Sequence, residues 1–335
     1  MRGARLRRPT RADVLRATPI AAYALLLAWL IVRLHGLPAS REVLVIVVLA
    51  GILAASATSI GRLRRLVVGI AFDWFPFVVM LALYDLIRGF ADGLWLPIHS
   101  RPQIEVDRVL GLGAVPTVWL QQHLWHGGRD LQWYDYAAWI TYASYFFVPT
   151  LVLAVLWWRS RAEFRRLAWM VVALAFAGCA TYVLFPAVPP WLAGQEGLIP
   201  PVHHVIAVVS ARTPVISFEP LWKRGTLYAN DVAAIPSLHA AYTMLIALFL
   251  IDRTRSRWRY LLWLYPAAMA FALVYSGEHY LVDVLLGWVY AAAVFAVGTH
   301  RRLAPALFSL ERASAGAHVA QQPVPVTGDA GRSSV

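Results

Sequence analysis

The chain has 335 residues, of which 60% are hydrophobic and only 14% are charged. A soluble domain carries about 25% charged residues, so most of this surface does not face water. The formal net charge of +12 does not indicate a nucleic-acid partner, because the arginines stand in short clusters between apolar runs and not on one soluble face.

Eight mostly apolar runs follow one another along the chain, and a membrane-spanning helix needs about 20 such residues. They predict an all-α, polytopic membrane helix bundle. Pro116 begins a short stretch with Trp119 and Trp125, which indicates a helix at the membrane interface. The predicted spans are residues 18–35, 42–60, 66–90, 133–158, 164–185, 236–251, 259–276 and 279–298.

The runs divide the chain into three parts. Residues 1–65 contain two N-terminal transmembrane helices, the first of which could alternatively be a cleaved signal peptide. Residues 66–302 form a six-helix core that includes two long outer segments, 91–132 and 186–235. The tail 303–335 is rich in Ala, Gly, Ser, Pro and Val, and it is expected to be disordered.

Clusters of arginine occur at alternate connections between the runs. By the positive-inside rule these connections are cytoplasmic, so both termini lie inside and both long segments outside a cell membrane that the chain crosses several times. The clusters are Arg2 to Arg16 at the N-terminus, Arg62, Arg64 and Arg65, then Arg159, Arg161, Arg165 and Arg166, then Arg253, Arg255, Arg257 and Arg259, and finally Arg301 and Arg302.

Two histidines lie at the predicted outer ends of helices. His239 follows Pro236 and Ser237 at the start of the sixth run, where proline suits a first helical turn and free N–H groups attract anions. His279 begins the eighth run, and Asp283 four residues later is expected on the same helix face. A carboxylate beside an imidazole fixes its tautomer and stabilises its charged form.

Each feature also has a simpler interpretation. A lone histidine near a membrane surface is more often a boundary residue, and a His–Asp pair can simply join two helices. The arginine pattern independently places both histidines on the outer side at similar depth, which favours catalysis. His203 and His204 are adjacent but have no third ligand at metal-binding spacing, so no metal or other cofactor is expected.

Pro236-Ser237-Leu238-His239, together with His279 and Asp283, resembles the type 2 phosphatidic acid phosphatase superfamily. The resemblance covers about residues 66–298 and implies a six-helix phosphatase-type core. More narrowly, the run 185–192 (FPAVPPWL), Asn230 and His279-Tyr280 are similar to the inositol phosphorylceramide synthase branch and its bacterial relatives. That similarity makes Asn230 and Tyr280 candidate substrate contacts.

The chain departs from the common phosphatase pattern at two basic positions. Leu94 stands where the first motif has lysine, seven residues before Arg101-Pro102, and Leu273 stands where the third motif has arginine. The phosphate is therefore expected to be bound by Ser237 and by basic residues at other positions on the outer side. Arg88 is the first choice, and the other candidates are Arg101, Lys223 and Arg224, with Arg108 also available.

The resemblance implies an enzyme that moves a phosphoryl-linked head group, specifically inositol phosphate from phosphatidylinositol, to a hydroxyl acceptor. The expected mechanism is double displacement, with His279 as nucleophile, Asp283 as its partner and His239 as acid and base. The acceptor could be a lipid or a glycan. Two alternatives stay open: a phosphatase acting on phosphatidic acid-type or polyprenyl phosphates, and a non-catalytic transporter or scaffold.

The arginine pattern can be tested by labelling single cysteines in intact cells. We expect a membrane-impermeant thiol reagent to modify a cysteine introduced at Gln195, in an outer segment, but not one introduced at Ser256, in an inner connection. The reverse labelling pattern would refute the topology and the outward-facing site together.

Overall fold

The computed structural model describes residues 11–33, 37–38, 41–56, 60–89, 96–213, 216–217 and 231–300. Three candidate site residues, Lys223, Arg224 and Asn230, lie outside these ranges, and so does the tail 303–335, for which the sequence predicts disorder. The chain divides into two units, Met1–Phe295 and Ala296–Val335, and every contact discussed below lies within the first.

The described residues confirm the predicted all-helical architecture, because every one of the eight apolar runs is helical. A single pair of two-residue parallel strands, β1 Leu37–Pro38 and β2 Ile216–Ser217, is added to it. The helices are α1 Arg11–Arg33, α2 Arg41–Ser56, α3 Ile60–Gly89, α4 Arg101–Leu110, α5 Pro116–Leu124, α6 Trp133–Arg159, α7 Arg161–Leu184, α8 Pro190–Gln195, α9 Val205–Arg212, α10 Leu238–Arg253, the 3-10 helix Arg257–Trp263, α11 Leu264–Tyr275 and α12 Leu281–Thr299.

Four helices in the described residues are long and apolar enough to cross a membrane: Leu63–Gly89 within α3, then α6, α7 and α12. Helices α1 and α2 contain shorter apolar stretches. The remaining two predicted runs correspond to α10 and to the 3-10 helix followed by α11. The count of eight spans therefore stays a prediction, and α3 begins before the predicted core boundary at residue 66.

A buried carboxylate joins α3, α6 and α7 at the end of the bundle where arginines cluster. Asp73 accepts hydrogen bonds from Trp157 Nε1 at 2.8 Å, Arg161 Nη1 at 2.7 Å and Arg165 Nε at 2.8 Å. The Arg161 Cζ atom also lies 3.3 Å from the centroid of the Trp157 ring. A buried charge is costly unless it is paired, so this cluster explains how an aspartate is accommodated inside a spanning helix.

The two predicted outer segments fold into short helices at the other end of the bundle. The first segment contains α4 and α5, and the helix predicted from Pro116 is α5. The second contains α8 and α9. Backbone bridges pair His99 with Ala187 and Ala187 with Ala233, so both segments are tied to the chain that leads into α10.

Helix α10 begins two residues later than predicted. Ser237 is its N-cap, and the Ser237 Oγ atom accepts a hydrogen bond from the Ala240 N–H at 3.3 Å. The sequence predicted Pro236 in the first turn of this helix. In the structure Pro236 precedes the helix. Its position is fixed instead by Tyr182 of α7, whose hydroxyl donates to the Pro236 carbonyl oxygen at 2.9 Å.

Helix α12 begins at Leu281, so the prediction that His279 lies on the same helix as Asp283 is wrong. The N–H groups of Glu278 and His279 both donate to the Leu273 carbonyl oxygen, at 3.1 and 3.3 Å. The turn before α12 therefore caps the C-terminus of α11, because these bonds satisfy a carbonyl group that has no partner within that helix.

Helices α10 and α12 approach each other closely at Gly287. A Cβ atom at this position would lie 2.4 Å from the Ser237 carbonyl oxygen and 3.3 Å from the Ala241 backbone nitrogen. Beside this contact the Ser237 N–H donates to the Asp283 carbonyl oxygen at 3.0 Å. A small residue at the crossing thus sets the spacing between the two helices that carry the site.

Replacing Gly287 should separate these helices. We expect Gly287→Ala to lower the stability of the purified protein by about 1–3 kcal/mol, because the added methyl overpacks the contact. The control is Val289→Ala on the same helix, a side chain that is 60% exposed, which should stay within about 0.5 kcal/mol of wild type. Thermal unfolding in detergent measures both, and equal melting temperatures for the two variants would contradict the close approach.

Candidate active site

His239 is the second residue of α10, and its ring is held by aromatic side chains of α6. Its centroid lies 4.7 Å from that of Tyr142, with the planes 22° apart, and 3.9 Å from that of Tyr145. The residue as a whole is partly buried, and its Nε2 atom is fully buried. The aromatic contacts fix the plane of the imidazole.

His279 lies in the turn between α11 and α12 and is 7% exposed. Three other segments donate hydrogen bonds to the turn and to the residue before it. The N–H of Trp191 donates to the Gly277 carbonyl oxygen at 3.0 Å, and that of Val205 donates to Ser276 at 3.2 Å. The Gln121 side-chain amide donates to the Tyr275 carbonyl oxygen at 2.8 Å.

The structure brings His239, His279 and Asp283 together. The two imidazole centroids are 5.9 Å apart, so one phosphoryl group placed between them could reach both rings. Asp283 is fully buried, and its Oδ2 atom lies 3.5 Å from His279 Nδ1. This distance is within ion-pair range but longer than an ordinary hydrogen bond.

Asp283 meets His279 without sharing a helix with it because the carboxylate turns back over the start of α12. Its Oδ2 atom accepts the Tyr280 backbone N–H at 2.9 Å. This is the contact that an acidic residue makes at the third position of a helix when it caps the helix N-terminus. The same oxygen therefore faces the turn that carries His279.

A second His–carboxylate pair lies beside this turn. His204 Nε2 is 2.5 Å from Glu278 Oε1, and the His204 ring stacks on Trp191 with centroids 5.1 Å apart. Burial lowers the pKa of His204, but the negative charge of Glu278, its hydrogen bond and the charge of Asp231 outweigh burial and raise the pKa above its usual value. The pair ties α9 to the residue that precedes His279.

The other histidine of the 203–204 pair makes separate contacts. The His203 backbone exchanges two hydrogen bonds with Gln121, each of 2.8 Å, and its ring lies 5.7 Å from that of Trp125. Within the described ranges no three His, Cys, Asp or Glu side chains are grouped so that they could hold a metal.

Among the described candidate phosphate-binding residues, Arg88 interacts electrostatically with Tyr142, whose ring stacks on His239. It is in the last turn of α3, with Nε 3.8 Å from Asp85 Oδ1, and it also interacts electrostatically with Tyr182. Arg101 begins α4 with an exposed side chain.

The other described candidates are deeply buried. Ser237 is fully buried, and its Oγ atom caps α10. Tyr280 is fully buried in the apolar cluster of the outer segments, where burial first, and then Asp283 and Asp107, raise its pKa. The roles of these residues toward substrate stay predictions.

Several residues that shape the site were not predicted from the sequence. Tyr142 and Tyr145 lie on a helix whose aromatic residues are otherwise typical of a membrane span. Gln121, Asp107 and His204 come from the outer segments, far from the histidine motifs along the chain. His204 was noted in the sequence only as a neighbour of His203, and Glu278 can be found only because it adjoins His279.

The fold and this pair of histidine motifs define a class of protein. The family described as the PAP2 superfamily matches residues 104–297, more than half of the chain, and the chain belongs to this superfamily. It is an integral membrane enzyme that transfers phosphoryl-linked groups on lipids. This match confirms the resemblance found in the sequence. The chain is an enzyme, so the alternative of a non-catalytic transporter or scaffold is wrong.

Two relatives place the chain more narrowly. A phosphoinositol dihydroceramide synthase of Bacteroides thetaiotaomicron is 28% identical over 283 residues, which cover 75% of this chain and 89% of the relative. The inositol phosphorylceramide synthase catalytic subunit aur1 of Schizosaccharomyces pombe is 30% identical over 129 residues, which cover 38% of this chain and 30% of that protein. A search of solved structures gave no significant match.

The His204–Glu278 pair predicts a stability that depends on pH. The pKa of His204 is raised in the folded state, so the pair's contribution is complete below the unfolded histidine pKa of about 6.5 and is lost as pH rises through the folded pKa. Thermal unfolding between pH 6 and 9 should therefore show Glu278→Gln less stable than wild type at the acid end, with the difference shrinking as pH rises.

The matched control is Glu196→Gln, which removes an exposed carboxylate from the outer segment that contains His204. Its difference from wild type should not change with pH over this range. Parallel pH profiles for wild type and Glu278→Gln would contradict a stabilising charge on His204.

Proposed function

We propose that the protein transfers inositol phosphate from phosphatidylinositol to a hydroxyl group of a lipid acceptor. The observation that carries this proposal is the meeting of His239, His279 and Asp283 at one site. The head group and the acceptor class are supported by the printed activities of the two relatives, which name phosphoinositol and ceramide-type lipids.

In the first half-reaction His279 is the nucleophile. Asp283 holds the Nδ1–H of the imidazole, so the lone pair of Nε2 is directed away from the carboxylate and attacks phosphorus. A bond forms between Nε2 and phosphorus while the bond from phosphorus to the diacylglycerol oxygen breaks. His239, held flat by Tyr142, gives its proton to that oxygen.

In the second half-reaction the roles reverse. The acceptor hydroxyl loses its proton to His239 and attacks phosphorus, and the bond to His279 breaks. A lipid hydroxyl or a glycan hydroxyl gives a new phosphodiester, whereas water would give free inositol phosphate. The chemistry uses no cofactor, because the two histidines supply the nucleophile and the proton transfers.

Positive charge is needed where the phosphoryl oxygens gain negative charge. Arg88 supplies it in this proposal, because it interacts electrostatically with Tyr142, whose ring stacks on His239. The start of α10 adds the positive end of a helix dipole. Arg101, Lys223 and Arg224 remain candidates for the same role, and Asn230 and Tyr280 for contacts with the head group.

The proposed site faces the extracytoplasmic side of the cell membrane, and both termini are cytoplasmic. The two histidines lie at the end of the bundle formed by the outer segments. At the opposite end Arg253 pairs with Glu163, and Asp73 pairs with Arg161 and Arg165. These paired arginines belong to the clusters that the positive-inside rule assigns to the cytoplasm.

The proposal is tested with purified protein and phosphatidylinositol labelled in the inositol ring. We expect a labelled second lipid when dihydroceramide is added and little labelled product without an acceptor. Labelled inositol phosphate in both cases would show that water is the acceptor and that the protein is a phosphatase. Turnover of phosphatidic acid in place of phosphatidylinositol would refute the proposed donor.

Substitutions of the three residues test the role that the proposal gives to each of them. His279→Ala should abolish turnover and the covalent intermediate together, and His239→Ala should regain rate on a donor with a good leaving group. Asp283→Asn should lose on the order of 10³–10⁴-fold in rate, as when a catalytic imidazole loses its carboxylate. His123→Ala, an exposed histidine on α5, should have wild-type activity. Acid-labile phosphate trapped on His239 would reverse the assignment of the histidines.

A further inference from the structure

A fully buried carboxylate outside the motifs holds the start of α12. Asp107 of α4 accepts the Leu281 backbone N–H on Oδ2 at 2.9 Å and the Val282 backbone N–H on Oδ1 at 2.8 Å. Asp283 accepts the preceding N–H, that of Tyr280. Two carboxylates thus take up three successive N–H groups at the helix N-terminus.

This arrangement gives α12 a defined starting point. The first N–H groups of a helix have no partner within the helix, and they mark the positive end of its dipole. The pKa of Asp107 is raised to about 6, because burial and, to a smaller extent, the charge of Asp283 outweigh the lowering effect of the two N–H groups. Asp107 Oδ1 and Oδ2 each bind a different residue, so the side chain fixes both the position and the rotation of the first turn.

We propose that Asp107 is a positioning residue that holds the first turn of α12 where the Asp283 carboxylate meets His279. The proposal rests on the proposed function, in which this pair forms the nucleophile. The geometry requires such an anchor, because His279 lies before the helix and Asp283 lies within it. A small rotation of the first turn would move the carboxylate away from the imidazole without moving His279.

The same contacts bear on where the substrate phosphate binds. The N–H groups at the start of α12 are engaged by Asp107 and Asp283, and the two negative charges there repel an anion. The phosphoryl oxygens are therefore directed toward the start of α10, beside His239. In this proposal the start of α12 orients the nucleophile, and the start of α10 binds the anion.

The test compares Asp107→Asn with Glu105→Gln, which makes the same chemical change at an exposed position of α4. Asp107→Asn turns one acceptor into a donor that faces a backbone N–H. We expect kcat to fall about 10–100-fold, as for other residues that orient a catalytic ligand, with the KM for the donor lipid unchanged. Glu105→Gln should match wild type in both constants.

Two further measurements separate positioning from general stability. Hydrogen exchange in the wild type, Asp107→Asn and Asp107→Glu should show faster exchange at Leu281 and Val282 in both variants, with the amides inside α10 unchanged. In an Asp283→Asn background, Asp107→Asn should cost less than about twofold in kcat, because the partner through which it acts is already lost.

An unchanged kcat in Asp107→Asn, or a full 10–100-fold loss in the Asp283→Asn background as well, would overturn the proposal. Asp107→Glu retains the charge with one more methylene group, so it also gives a result if Asp107→Asn fails to fold. The exchange measurement needs no substrate, and the kinetic comparison uses whichever phospholipid the wild type turns over. A wrong donor lipid would thus refute the proposed function and leave the role of Asp107 to be decided by exchange and kcat.

Discussion

The turn 276–280 joins α11 to α12, and its geometry is set by hydrogen bonds from other segments. Helix α11 ends at Tyr275, and Gly277 in the turn adopts a positive φ of 81° that lets the chain reverse direction. The side chain that a non-glycine residue would carry there has no room beside Val202. Because backbone groups from α8, α9 and the end of α11 bind this turn, the position of His279 depends on the fold of the outer segments.

A membrane protein must pair each buried charge, and this bundle does so separately at its two ends. At one end Asp73 is bound by two arginines and an indole N–H. At the other end Asp107 and Asp283 are bound by backbone N–H groups, which stabilise a carboxylate without a second charged side chain. The imidazole of His279 then faces the Asp283 carboxylate, with Nδ1 3.5 Å from Oδ2.

The departure from the common phosphatase pattern at Leu273 has a structural reason. This side chain is fully buried in the main apolar core, and its carbonyl oxygen accepts the N–H groups of Glu278 and His279. A guanidinium group in that place would be buried among apolar side chains at high cost. The proposed phosphate-binding charge is therefore assigned to another element, Arg88 at the end of α3.

The sequence by itself determined the apolar runs, the arginine pattern and the two histidine motifs, because each of these is a local property of spacing and composition. It could not determine that His279 lies in a turn, since the end of α11 and the start of α12 compete for the same residues. Tyr142, Asp107 and His204 reach the site from elements that are distant along the chain. Only the tertiary structure decided these contacts, because side-chain packing and helix capping between remote segments leave no periodic signal in the sequence.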